Sequence, residues 1–136
     1  MGRLFRHPAF WAVCFLAWMA WLWWLSSGPI DYPQTLQFNN FDKVLHAGFF
    51  MGGSGLLSAF LYRRSPLPDT DASGWRRRIL TAVLVVGMVG ALDEFHQSFV
   101  PNRSGNDPFD LSADITGALI GALVFRRMRG ILRDPA

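Results

Sequence analysis

Residues 79–100 read ILTAVLVVGMVGALDEFHQSFV, and this stretch decides the fold. It runs without charge from Ile79 to Leu92, and then Asp93, Glu94, His96 and Gln97 arrive together. A helix needs about 20 mostly apolar residues to cross a bilayer, so the run is long enough to span one. Its far end is nevertheless polar. Charge inside such a segment costs roughly 2.5–3.5 kcal/mol per residue on insertion scales, which makes these side chains candidates for function rather than filler.

Three more apolar runs surround it. Spans are expected at about 9–25, 43–62, 79–100 and 108–125, the last opening at Pro108, a favourable first-turn residue. The chain of 136 residues is 51% hydrophobic and only 17% charged, which excludes an ordinary soluble domain. The expectation is one all-α domain over residues 1–136, a polytopic membrane protein of four helices in an antiparallel bundle, with its polar motifs between about 42 and 124. The first span could also be read as a cleavable signal. Its length and its terminal Trp21, Trp23 and Trp24 favour a retained helix with an interfacial aromatic belt. Cys14 is the single cysteine, so no intramolecular disulfide can form.

Net charge is +3, which invites a nucleic-acid reading that the distribution does not support. Eleven of the thirteen basic residues flank the spans on one side, leaving only Lys43 and Arg103 on the other. By the positive-inside rule both termini are cytoplasmic, in a bacterial inner membrane. The arginine runs act as topology anchors and lipid-phosphate contacts, and no nucleic-acid partner is expected. The segment 63–78, rich in proline, arginine and aspartate, is expected to be a mobile loop without chemistry. The segment 26–41 reads as irregular, resting on the interface through Ile30, Tyr32, Leu36 and Phe38.

Spacing then groups the polar residues. Asp42 and His46, Asp93 and Gln97, and Asp110 and Asp114 are each four apart, so each pair projects from one helix face. All three pairs fall toward the extracytoplasmic side, with Asp93 deepest, about two-thirds of the way across a ~30 Å core. Small residues on the same helices suggest close approach: Gly48, Gly52 and Gly55; Gly87, Gly90 and Ala91; Gly117 and Gly121. The tryptophan-rich first helix reads as the outer, lipid-facing member.

These motifs resemble the VanZ-like membrane protein family. Asp42-Lys43-x-x-His46 is similar to the family's DKxxH. Asp93-Glu94-x-x-Gln97-x-Phe99-x-Pro101-x-Arg103 is similar to its DExxQxFxPxR element. Asp110-x-x-x-Asp114-x-x-Gly117-x-x-x-Gly121 resembles its DxxxNxxGxxxG ending, with Asp114 where the family usually has asparagine. The resemblance covers about residues 42–124. It implies a site more firmly than an activity, and it brings a relation to glycopeptide resistance, since one member is associated with teicoplanin resistance.

The expected ligand-binding residues are Asp42, Lys43, His46, Asp93, Glu94, Gln97, Arg103, Asp110 and Asp114. The favoured function is binding or shielding of an envelope lipid, a lipid-linked precursor or a glycopeptide. Arg103 is the best anion contact, because a guanidinium grips phosphate or carboxylate bidentately, with pairing to Asp107 or Asp110 as its structural alternative. The competing reading is an intramembrane enzyme with Asp93 or Glu94 as base and His46 as acid or ligand. The ending Asp114-Ile115-x-Gly117-Ala118 is reminiscent of type-2 phosphatidic-acid phosphatases, but their Lys-x6-Arg-Pro and Ser-Gly-His elements are absent. A transporter ranks last, for want of helices and of an inverted repeat. His96 is expected to be peripheral. Oxygen ligands are plentiful, but no metal spacing such as HExxH is present, so neither a metal nor a cofactor is assigned. The oligomeric state is left open.

Overall fold

The computed structural model describes residues 3–28, 41–103 and 105–132. A short helix α1 (Arg3–Arg6) precedes four long ones: α2 (Pro8–Ser26), α3 (Phe41–Arg64), α4 (Ala72–Gln97) and α5 (Pro108–Met128). A 3-10 turn, Arg129–Leu132, ends the described chain. All four long helices have the length and apolarity to cross a membrane. Their outer surfaces carry exposed Leu16, Trp24, Leu84, Met88 and Leu123, as expected for helices whose solvent is lipid. The interfacial residues expected at Ile30, Tyr32, Leu36 and Phe38 lie outside the described residues.

Both limits of the third span differ from its hydropathy window, while α3 and α5 run two or three residues past theirs. The third span occupies Ala72–Gln97 rather than 79–100. At its start, Asp71 caps the helix by accepting from the Gly74 amide at 2.8 Å, so the helix begins before the apolar run and carries Arg76, Arg77 and Arg78 in its first turns. Hydropathy sees burial in lipid, whereas the cap sees the backbone. At the other end Phe99 and Val100 are apolar but fold into turns ahead of Pro101. The residue before a proline is biased away from the helical region, so apolarity outlasts helix there. Asp93 therefore sits four residues from the end of its helix.

The segment 63–78 is mostly helical, contrary to the expected mobile loop. Only residues 65–71 connect α3 to α4, and Trp75, 1% exposed, donates its indole N–H to the Pro68 carbonyl at 3.1 Å. Arg78, Arg126 and Arg129 lie 4.9–5.8 Å from the Trp75 ring, so three of the topology-marking arginines also pack. Asp71, outside the helix it caps, is held below the usual aspartate range by the Gly74 amide and then the Ser73 hydroxyl.

The helices alternate in direction, so α3 and α5 run parallel, and that pair makes the most extensive contact in the bundle. The cause is visible in α5. A Cβ on Gly117 would strike the Ala47 carbonyl, and one on Gly121 would strike the Met51 carbonyl. The small-xxx-small pair thus lets two backbones touch. Gly48, Gly52 and Gly55 play no such role: added Cβ atoms there meet nothing within 4 Å, so that face of α3 is open.

The core between the helices holds Phe50, Leu57, Ala82, Val86, Ala118 and Ala122. The α2 helix faces outward through Trp21, Trp23 and Trp24, but Trp18 turns inward. Its indole fits over Gly53, where a Cβ would collide with the ring, and donates to the Phe49 carbonyl at 3.1 Å.

Candidate functional site

The end of α2, the start of α3, the end of α4 and the start of α5 meet at one end of the bundle. The three sequence motifs converge there. Asp107 and Pro108 begin α5 with a cap: Asp107 Oδ1 accepts from the Phe109 amide at 2.8 Å, and proline takes the position whose amide needs no partner. The loop before them turns at Asn102 and Asn106, with φ of 63° and 61°, a conformation that asparagine tolerates better than most residues.

Parallel α3 and α5 set up two charged rungs. Lys43 Nζ lies 2.6 Å from Asp110 Oδ1, and His46 Nδ1 lies 2.9 Å from Asp114 Oδ1. Below these rungs come the two glycine contacts. The first rung spreads outward, because Lys43 also reaches Asp42 and Asp107, each at 2.9 Å. Its ammonium and then the Phe109 amide hold Asp107, which lies outside the helix, below the usual aspartate range.

The second rung is buried. Asp114 is 0% exposed, and its carboxylate fits beside Gly90 of α4, where a Cβ would come within 2.7 Å of Oδ2. Glu94, 3% exposed, approaches from α4, and ligand-type atoms of His46, Glu94 and Asp114 all lie within 4.8 Å of one another. Glu94 is tied by one oxygen only: Oε2 accepts from the Asp107 amide at 2.8 Å, while its backbone carbonyl takes the Asn106 amide. The α4–α5 loop thereby fixes the glutamate. Glu94 Oε1 and Asp114 Oδ2 are buried without a hydrogen-bond partner among the described residues.

On the other side of His46, a cavity of about 510 Å³ lies between α2, α3 and α4. Leu22, Val44, Phe49 and Phe50 contribute apolar wall, and His46, Asp93, Gln97 and Arg103 contribute the polar part. Gln97 donates to Asp93 Oδ2 at 2.7 Å, so this pair is joined directly along the helix. Arg103 donates to the Leu25 carbonyl at 2.7 Å, closing the end of α2. Asp93 Oδ1 and Arg103 Nε are buried and unpartnered among the described residues.

The nine expected residues therefore divide. His46, Glu94 and Asp114 form one group; Asp93, Gln97 and Arg103 line the cavity beside it; Lys43 and Asp110 form the ion pair one turn away. Asp42 belongs only to the rim, with a side chain 49% exposed and bound to Lys43 rather than sharing a partner with His46. Of the two roles open to Arg103, pairing with Asp107 or Asp110 is not seen, since Lys43 takes both. His96 stacks on exposed Trp23 at 3.9 Å, away from the carboxylates. Sequence reasoning passed over Asp107 as a member of the site. Its signal was present in Asp107-Pro108, a capping residue before an N1 proline, but the Lys43 and Glu94 contacts are tertiary. Gly90 was noticed as a helix contact, whereas what it admits is the Asp114 carboxylate.

Comparison with curated proteins gives no match, and comparison with solved structures gives none either. The VanZ/LLP1 family model matches residues 9–132, which takes in all four long helices and every motif residue of the site. The match spans most of the chain, and the chain belongs to the VanZ/LLP1 family.

Proposed function

We propose that this membrane protein binds an envelope amphiphile with an anionic headgroup, a lipid or lipid-linked precursor, in the cavity between α2, α3 and α4. One observation carries the reading. The polar end of an apolar-walled cavity presents a guanidinium nitrogen, Arg103 Nε, and a carboxylate oxygen, Asp93 Oδ1, that have no partner among the described residues. Buried polar groups are ordinarily satisfied, so a bound group that supplies an anionic oxygen and a hydroxyl or ammonium donor meets both needs. At about 510 Å³ the cavity suits a headgroup and the start of a chain, with the rest of the tail in the bilayer.

The arginine asymmetry supports an orientation with both termini in the cytoplasm of a bacterial inner membrane, which puts the cavity in the extracytoplasmic leaflet. There the protein would bind or shield a cell-envelope component, and the glycopeptide relation of the family follows as a consequence of such shielding. Lipids extracted from the purified protein and from an Arg103→Gln/Asp93→Asn variant test the reading by mass spectrometry. The wild type should be enriched in one anionic species over the bulk membrane, and the variant should not. Matching profiles from the two proteins would refute it.

A further inference from the structure

We infer that His46, Glu94 and Asp114 hold a divalent metal ion of the zinc or manganese class at the meeting point of α3, α4 and α5. Each residue comes from a different helix, and their ligand-type atoms lie within 4.8 Å of one another. Two ligands bound at about 2.1 Å stand roughly 3.0 Å apart at a right angle and 3.4 Å apart at a tetrahedral one. The His46 Nδ1 to Asp114 Oδ1 separation of 2.9 Å already has that spacing. A proton can occupy the gap between these two atoms, but it leaves other atoms unserved.

Those other atoms are the second observation. Asp114 is fully buried and Glu94 is 3% exposed, yet Asp114 Oδ2 and Glu94 Oε1 lack a partner among the described residues. Asp114 has one oxygen on His46 and Glu94 one on the Asp107 amide, so each carboxylate is half-satisfied, with its other oxygen in an apolar surrounding where an unpaired acceptor is unfavourable. The nearby cation cannot serve them, because Lys43 is engaged by Asp110, Asp107 and Asp42. A divalent ion balances two carboxylates and occupies the unpartnered oxygens at once. The imidazole nitrogen favours a first-row transition ion over calcium or magnesium, which prefer oxygen alone. The supports around the three residues also suit a metal centre. Glu94 is aimed by the Asp107 amide, and Gly90 leaves room for the Asp114 carboxylate.

Asp114 and Glu94 do not line the cavity, so His46 is the one residue that the ion site and the cavity share. The test uses the full chain purified in detergent with a histidine-free tag, stripped with chelator, then reloaded with Zn²⁺, Mn²⁺ or Mg²⁺ and desalted. Elemental analysis should find about one Zn²⁺ or Mn²⁺ per chain and little Mg²⁺. Asp114→Asn and Glu94→Gln keep side-chain shape, and each should weaken Mn²⁺ binding at least tenfold. Should a variant fail to fold, pulsed EPR of the Mn²⁺-loaded wild type decides alone, through coupling to an imidazole nitrogen. Failure to retain either ion, undiminished affinity in both variants, or absence of nitrogen coupling would each overturn the inference. The lipid profile is read separately, so loss of one result leaves the other standing.

Discussion

Replacing Lys43 with methionine keeps most of the side chain's stem and removes its ammonium, and the structure says which of its three partners will matter. Asp42 and Asp107 have side chains 49% and 27% exposed, so losing those contacts is worth at most about 1 kcal/mol together. Asp110 is different, with a side chain 6% exposed and its oxygen 2.6 Å from the ammonium. Removing one member of a buried pair costs about 3–5 kcal/mol, because the other is left charged and unsolvated. The Lys43 side chain retains 23% exposure, through which water can approach, so we expect a loss of roughly 2–3 kcal/mol, nearly all through Asp110. That origin has a signature. Adding Asp110→Asn to the lysine variant removes the stranded charge and should restore about half of the loss, whereas Asp110→Asn alone should cost about 1 kcal/mol. The six tryptophans provide an emission signal for reversible unfolding in mixed micelles. A double variant whose loss equals the sum of the single losses would show that Asp110 is not stranded, and the reasoning would fall.

Other consequences are open to the same measurements. Valine at Gly117 or Gly121 should destabilise by about 2–3 kcal/mol or more, since it forces two touching backbones apart, while Gly52→Ala, facing open space, should change stability by less than about 0.5 kcal/mol. Gly90→Val should push the Asp114 carboxylate off His46 and lower bound metal well below one equivalent, whereas Gly87→Ala, 3.4 Å from the Ile115 side chain, should retain it. The lowered pKa of Asp107 carries a sign: its contribution is complete above about pH 3.9, the unfolded value, and is lost as pH falls through the lower folded value. The stability difference between wild type and Asp107→Asn should therefore shrink as thermal melts move from pH 6 toward pH 3. Arg103→Met should free the Leu25 carbonyl, and hydrogen exchange near the end of α2 should quicken accordingly.

Hydropathy made the four helices legible, because a bilayer-length apolar run has few other uses. Their ends were less so. Asp71 extends α4 by a full cap and two turns beyond its apolar window, and Pro101 ends helical structure while apolarity continues. The polar pairs were legible as faces: Asp93 and Gln97 do bond along one helix, four residues apart. Partnership between helices was not. A period of four places Asp42 and His46 on one side of α3, but it is silent on which helix lies opposite. The parallel packing of α3 and α5 gives His46 to Asp114 and gives Lys43 to Asp110. Glycine counting failed in the same way. Three glycines on α3 read like a packing face, but close approach is decided by what stands opposite, and among the described helical glycines only the two on α5 meet the backbone of another helix.

Those two glycines also explain how an apolar bundle tolerates four buried carboxylates at one end. Contact of the α3 and α5 backbones at Ala47 and Met51 fixes the helices in register and in rotation. Once that register is set, His46 faces Asp114 one rung above the first glycine contact and Lys43 faces Asp110 two rungs above it. α4 adds Glu94 only because Gly90 has no side chain to keep Asp114 away, and because the following loop supplies the Asp107 amide to hold one glutamate oxygen. Glu94, Asp110 and Asp114 are thus each held by an interaction from another segment, and Asp93 by Gln97 of its own helix, yet Asp93, Glu94 and Asp114 each retain one oxygen that no described residue satisfies. If these groups served only to pin the helices, asparagine or glutamine would pin them without a stranded charge. Asp114 makes the point most sharply, because it is fully buried. An acid kept fully buried at that position, against an imidazole and beside a second carboxylate, is better explained by something positive that it binds than by the packing it adorns.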